Sequence, residues 1–310
     1  MKYVEKKDLK LSVFSLGTVQ LGMDYGLGNN TAKPQKEYAF EVLDCAMNSG
    51  VNTLDTANNY GDSEIVIGEW MRGLDETCRP LIVTKVGPFD HSSPENLKAD
   101  ILKQTEKCLE TLGVTQIDIL MAHNFEDYEK DPIILRETFA ELKAKGLIRY
   151  SALSAYSHHD YTLIAESGFD AVQIPLNVFD WTQIENGGIQ AIADAGMMIF
   201  VRSVFLQGLV FLKPEQVESR IEFCKPYLEK YLQLCDEFEM SPAVLAMSYV
   251  LSVPGVTTVV LGCQTPEQVK SNCHMIDEVK ELTQEQMGKL HDAFANIDPR
   301  VIDPREWNKK

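Results

Sequence analysis

From Phe14 onward, short β-type runs alternate with stretches of helical apolar spacing, and the alternation repeats eight times. The predicted strands cover 14–18, 53–55, 81–84, 118–121, 148–153, 171–174, 198–201 and 258–261. Predicted helices follow at 35–48, 63–72, 133–144, 158–166, 184–195, 226–238, 242–251 and 266–273. Another is opened by Ser93-Pro94, with Leu97, Ile101, Leu102, Leu109 and Leu112 along one face. Glycines 50, 146, 168 and 196 fall just past successive helices, where a left-handed residue ends a helix. Strands alternating with helices build a parallel sheet with both faces covered. Eight units, with no Gly-x-Gly-x-x-Gly after the first strand, favour a closed (β/α)8 TIM barrel of class α/β over a doubly wound sheet.

Residues 1–13 alternate apolar and polar around Lys7-Asp8, which predicts a hairpin capping the bottom of the barrel. No linker or low-complexity tract divides the chain, so one barrel domain over 1–310 is expected. The irregular segment 205–225 reads as a functional loop. With the tail 297–310 it is expected to lie over the active-site end.

The formal net charge of −17 excludes a nucleic-acid surface, which needs a basic field. It also requires that any phosphate-bearing ligand find a locally positive site made of backbone N–H groups and a few Lys or Arg. Seven dispersed cysteines without a Cys-x-x-Cys pair predict free thiols and a cytoplasmic setting rather than disulfides or zinc. No apolar run has the length of a membrane span, and the charged start offers no signal-peptide core.

In such a barrel, residues just past the strand C-termini face the active site. Here they are Asp55, Asn58 and Tyr60, then Lys85, His123 and Asn124, Ser154, Gln173 and Asn177, Arg202 and Ser203, and Gly262. A phenol normally titrates near about 10, too high for acid–base work at neutral pH. An adjacent ammonium favours the phenolate, and a buried carboxylate can hold that ammonium in place. Asp55, Tyr60 and Lys85 therefore form a coherent set, and His123 can donate a hydrogen bond to the same carbonyl oxygen. The plainer reading of each is a turn-capping Asp, a rim aromatic, a surface Lys and a structural His. It fails to explain why all four meet at consecutive strand ends.

These residues carry a resemblance to the aldo-keto reductase superfamily over nearly the whole chain. The matching runs are Leu16-Gly17-Thr18, Asp55-Thr56-Ala57-Asn58-Asn59-Tyr60-Gly61 leading to Glu64, Thr84-Lys85, and His123. Gln173 with Asn177, Val201-Arg202-Ser203 with Gln207-Gly208-Leu209, and 265–272 also match. The resemblance implies a reductase of aldehydes or ketones that uses NADPH and no metal, with the tetrad Asp55, Tyr60, Lys85 and His123. It further implies cofactor contacts from Gly17, Thr18, Ser154, Gln173, Arg202, Ser203, Leu206, Gly208, Gly262, Gln264, Thr265, Gln268 and Asn272. Asn124, Phe179 and Trp181 are expected in the substrate pocket, for a small-molecule carbonyl.

Four positions depart from the family pattern. Ala155 follows Ser154 where many members carry Asn, and Arg202 stands where many carry an aromatic ring, as in bacterial branches. Gly262 and Gln268 occupy the places of the basic pair that holds the 2′-phosphate of NADPH. The expectation is a modest preference for NADPH, with NADH accepted. Two other functions fit a barrel with these residues. A Schiff-base aldolase using Lys85 is opposed by the pairing with Asp55, since an ion-paired amine is a poor nucleophile. A non-catalytic nucleotide-sensing barrel is opposed by the complete tetrad. His158-His159 reads as a solvated helix start whose rings face different ways.

Overall fold

The computed structural model describes residues 1–24, 33–305 and 307. A two-stranded antiparallel hairpin, β1 (Tyr3–Lys6) and β2 (Leu9–Ser12), comes first. Eight parallel strands follow: β3 (Phe14–Gly17), β4 (Thr53–Asp55), β5 (Leu81–Val86), β6 (Ile117–Ala122), β7 (Ile148–Ser154), β8 (Ala171–Pro175), β9 (Met198–Arg202) and β10 (Val256–Gly262). They close into a barrel in chain order, with β10 returning to pair β3. This is the (β/α)8 barrel expected from the alternation, with its hairpin.

Side chains alternate in and out of a barrel wall, so inward positions recur every second residue. At the bottom those positions are apolar: Val83, Ile119, Met121, Ala152, Ala171, Met198 and Phe200 form one buried cluster. Leu9 and Leu11 of the hairpin belong to the same cluster, so the hairpin does fill the barrel floor. Two residues further along the same strands, the inward positions become Lys85, His123, Ser154, Gln173 and Arg202. The chemistry therefore sits at the C-terminal rim because the apolar stack ends there.

The helices pack outside and make the larger core with the outward strand faces. Ser93 caps Pro94–Leu112 by accepting from the Asn96 N–H, as the Ser-Pro start predicts. Gly146 and Gly196 do turn left-handed past their helices, at φ 70° and 72°. Three expectations are corrected. The helix predicted at 184–195 is two pieces, Thr182–Glu185 and Gly188–Asp194, broken where Gly187 takes φ 76°. The one predicted at 158–166 begins only at Tyr161, because Asp160 caps it by accepting from the N–H groups of Thr162 and Leu163. The segment 205–225 carries three short 3-10 turns rather than wholly irregular chain. A helix not anticipated, Gln284–Phe294, starts from a Thr283/Gln286 capping box. Among the described residues, all seven cysteines are free and no helix is long and apolar enough to cross a membrane.

Candidate active site

Lys85 has no exposed surface, yet its ammonium is fully partnered. Its Nζ donates to Asp55 Oδ1 at 2.7 Å and to the Thr56 carbonyl at 2.9 Å. Burial works to lower the lysine pKa, but the charges of Asp55 and Tyr60 outweigh it and hold the amine above its ordinary value. The other oxygen of Asp55 accepts from Gln173 Nε2 at 2.7 Å, so the carboxylate is clamped from two strands. The ammonium lies 5.2 Å from the centroid of the Tyr60 ring. His123 meets that ring edge-on, at 5.8 Å and 75°. Burial, together with the charges of Lys85 and Arg202, pushes the His123 imidazole down to about 3. It is therefore neutral at physiological pH and retains one N–H to donate. The tetrad expected from the sequence is brought together at one point.

Local hydrogen bonds explain why the Tyr60 turn stands where it does. Thr18 Oγ1 donates to the Asp55 carbonyl at 2.9 Å, and Ser63 Oγ reaches Thr18 Oγ1 at 2.8 Å. Asn58 Nδ2 donates to Gln104 Oε1 at 2.8 Å. The short helix Val19–Gly22 packs so closely that a Cβ on Gly22 would stand 1.9 Å from the Tyr60 carbonyl oxygen. Buried Glu64 accepts from Thr84 Oγ1 at 2.6 Å, beside Lys85.

Above this cluster opens a cavity of about 860 Å³, lined by Asp55 and Tyr60 at its base. Gly17, Thr18, Gln173, Arg202, Ser203, Gly208, Gly262, Gln268 and Asn272 line it, as does Trp181. Other expected residues do not. Leu206 turns its side chain into the core at 0 % exposure, and Ser154 is buried at the end of its strand. Thr265 is spent as a helix cap, accepting from the Gln268 N–H, and Gln264 lies buried behind the wall. Phe179 is core, packed against Tyr231 and Phe294, and Asn124 sits ahead of the helix Phe125–Lys130 outside the lining. Tail residues Ile297, Ile302 and Arg305 reach the wall, while Trp307 is buried with its indole N–H on the Arg300 carbonyl. The remaining tail positions, 306 and 308–310, lie outside the described residues.

The lining also holds residues the sequence reading missed. Gln20 lies against Gly262, where any Cβ would stand 2.4 Å from its amide, and its Oε1 is buried without a partner. Arg202 donates to the Ala155 carbonyl at 3.0 Å and lies 4.5 Å over the Tyr156 ring. Arg305 stacks over that same ring at 3.8 Å. No sequence pattern marks these contacts, since they join a strand end to the tail. The charged lining residues are Arg202 and Arg305 against Asp55, Glu185 and Asp303. The wall is thus not a cationic surface, and backbone N–H groups must supply much of any anion binding. Ser203, Leu206 and Gln207 take left-handed φ of 65°, 43° and 52° beside it, a strained backbone of the kind found at ligand-binding turns.

His158 and His159 do not face apart as expected. Both lie in the turn ahead of the helix, with ring centroids 4.1 Å apart, and Glu126 joins them with ligand atoms within 4.8 Å. The Tyr156 N–H donates to His159 Nδ1, which leaves Nε2 as the protonated nitrogen facing Glu126 at 3.3 Å. A neutral His159 in this tautomer has no lone pair to offer a metal.

The orphaned Gln20 oxygen, the open space around Gly208 and the cavity volume fit an elongated polar ligand such as a nicotinamide dinucleotide. Comparison with known proteins points the same way. The model described as Aldo/keto reductase family matches residues 14–294. An NADH-specific methylglyoxal reductase of Escherichia coli is 24 % identical over 305 residues, covering 86 % of this chain and 90 % of that protein. A putative voltage-gated potassium channel subunit beta of Schizosaccharomyces pombe is 24 % identical, covering 98 % and 95 %. Among solved structures, the holo form of an aldo-keto reductase from Bacillus halodurans superposes with a TM-score of 0.76 at 24 % identity, covering 98 % of this chain and all of that one.

Proposed function

The chain belongs to the aldo/keto reductase family, whose members are nicotinamide-dependent oxidoreductases, and from that premise we propose that it reduces an aldehyde or ketone with Tyr60 as proton donor. The observation that carries this reading is the buried Asp55–Lys85 pair at 2.7 Å beneath the Tyr60 ring, with neutral His123 at its edge. A bound nicotinamide supplies the hydride. Tyr60 gives its phenolic proton to the oxygen of the carbonyl as the alkoxide forms. Lys85, kept charged by Asp55, stabilises the phenolate left behind. His123 donates its one N–H toward the same oxygen and orients it. Gln173, clamped to Asp55, and Arg202 form part of the cavity wall. A Schiff-base role for Lys85 is disfavoured, because an amine held protonated with no exposed surface is not a nucleophile.

Replacing Tyr60 by Phe should leave dinucleotide binding intact while cutting turnover by roughly 10²–10⁴-fold, the usual size of a general-acid effect. Turnover is read on the best substrate from a carbonyl screen run with NADH and NADPH in parallel. A variant with near-normal kcat would remove Tyr60 from the chemistry. Trp181, Phe294, Ile297 and Ile302 on the wall support a partly apolar substrate.

The cofactor preference we propose is small. Gln268 Oε1 accepts from the Gln264 N–H at 2.7 Å, so the place of the family's basic residue holds a neutral amide and one backbone N–H is already used. Glu267 adds a carboxylate to the same first helical turn. Both features disfavour a 2′-phosphate, and NADH is accepted.

A further inference from the structure

The loop after β5 is pinned in two directions. Gln104 Oε1 accepts from the Gly87 N–H at 2.9 Å, fixing the loop to the helix Pro94–Leu112. Five residues beyond Val86, His91 reaches the other way. Its Nε2 stands 2.7 Å from Asp127 Oδ1 and its Nδ1 2.5 Å from Asp131 Oδ2. An ionised carboxylate only accepts, so both ring nitrogens must carry protons and the ring must be an imidazolium. The His91 side chain is 7 % exposed and that of Asp127 10 %, which makes this a largely desolvated pair. Asp127 lies in the helix Phe125–Lys130, and its N–H donates to the Asn124 carbonyl at 3.2 Å, one residue past His123. The His123 N–H in turn donates to the Val86 carbonyl at 2.9 Å, one residue past Lys85.

We propose that His91 is a positioning residue for the reaction: its doubly paired imidazolium locks the Asn124–Asp131 segment onto the loop after Lys85 and so fixes His123 against Tyr60. This rests on the reading of Lys85, His123 and Tyr60 given above. The charged groups facing the ring are Asp127 and Lys130 on one helix, Asp131 at the start of the next, and Asp90 on its own loop. Burial and Lys130 oppose the charge. The hydrogen bonds to Asp127 and Asp131 outweigh them and raise the histidine above its ordinary value. The clasp is therefore complete below neutral pH and opens as pH rises through that raised value. A neutral ring can donate to one carboxylate only, and its other nitrogen then turns a lone pair toward the second.

The test compares wild type with His91→Gln and His91→Lys, in turnover from about pH 6 to about pH 10 and in amide hydrogen exchange of residues 123–131. His91→Gln should lower kcat about tenfold below neutral pH, within the 10²-fold that a 1 Å misplacement can cost, with the gap to wild type closing as pH rises and dinucleotide affinity unchanged. Exchange in 123–131 should rise in parallel. His91→Lys keeps a cation, titrating near about 10.4, and should restore kcat and extend it to higher pH than wild type. Equal losses in both variants with an unshifted pH profile would reduce His91 to a structural role and overturn the proposal. So would wild-type exchange and turnover in His91→Gln. Should His91→Gln fail to fold, Asp131→Asn, which removes one carboxylate at the loop end, must move the high-pH limb to lower pH or the proposal fails. The exchange measurement needs no turnover, so the clasp and the assignment of Tyr60 can fail separately.

Discussion

Gln268 shows how much a single side chain can decide at a phosphate site. Its carbonyl oxygen accepts from the Gln264 N–H at 2.7 Å, which uses up a backbone donor and leaves only a neutral amide where the resemblance implies a cation. Substituting Arg removes that acceptor, frees the N–H and adds a planar fork suited to phosphate. A charge-assisted hydrogen bond is worth about 1.5–3 kcal/mol, so Gln268→Arg should tighten NADPH by about tenfold or more and leave NADH unchanged. Fluorescence titration of both dinucleotides decides it. No gain for NADPH would mean that another group, away from this helix turn, sets the preference. Lys85 makes the complementary point: a charge with no exposed surface survives because Asp55 and the Thr56 carbonyl satisfy it.

At the scale of elements, the site depends on how closely two short pieces of chain approach. The helix Val19–Gly22 presses the Gly22 Cα onto the turn carrying Tyr60. A Cβ there would meet backbone on two sides, the Tyr60 oxygen at 1.9 Å and the Ser63 nitrogen at 2.5 Å. Backbone cannot swing aside as a side-chain tip can, so Gly22→Ala must displace the turn. Expected is a barrel that still unfolds cooperatively, with kcat reduced by about 10²-fold. Denaturant unfolding and steady-state turnover on the same preparation separate the two effects. Wild-type kcat in this variant would show that Tyr60 is placed by Asp55 and Asn58 alone. Neither the sequence period nor the strand ends single out Gly22, because its constraint comes from a partner thirty-eight residues away in the chain.

For the whole molecule, the net charge of −17 and a lining that pairs Arg202 and Arg305 with three carboxylates give a ligand of two phosphates an unfavourable field. Salt screens that field, since the Debye length shrinks from about 30 Å at 0.01 M to about 8 Å at 0.15 M ionic strength. Dinucleotide binding should therefore tighten by a few-fold over that range, the reverse of a protein with a basic groove. Titrations at several ionic strengths check this, and a dissociation constant that climbs with salt would locate a dominant cationic contact.

The period of the apolar residues was enough to determine the eight-unit barrel, its floor-filling hairpin and which strand ends form its rim. Alternation along a strand dictates which side chains face inward, and chain order dictates that consecutive strand ends are neighbours. Asp55, Lys85 and His123 were legible as rim positions for that reason, and the chemistry of a phenol beside a buried ammonium, together with the family resemblance, added Tyr60 to them. What only the tertiary structure decided are contacts between segments with no shared period: Arg305 over Tyr156, Gln20 against Gly262, Gln104 on Asn58, and His91 between Asp127 and Asp131. It also sent Phe179 into the core and Trp181 to the wall, two residues apart beyond the same strand. Past the strand ends the chain leaves the barrel's repeat, and each loop residue is placed by packing and hydrogen bonds to distant chain rather than by its neighbours in sequence.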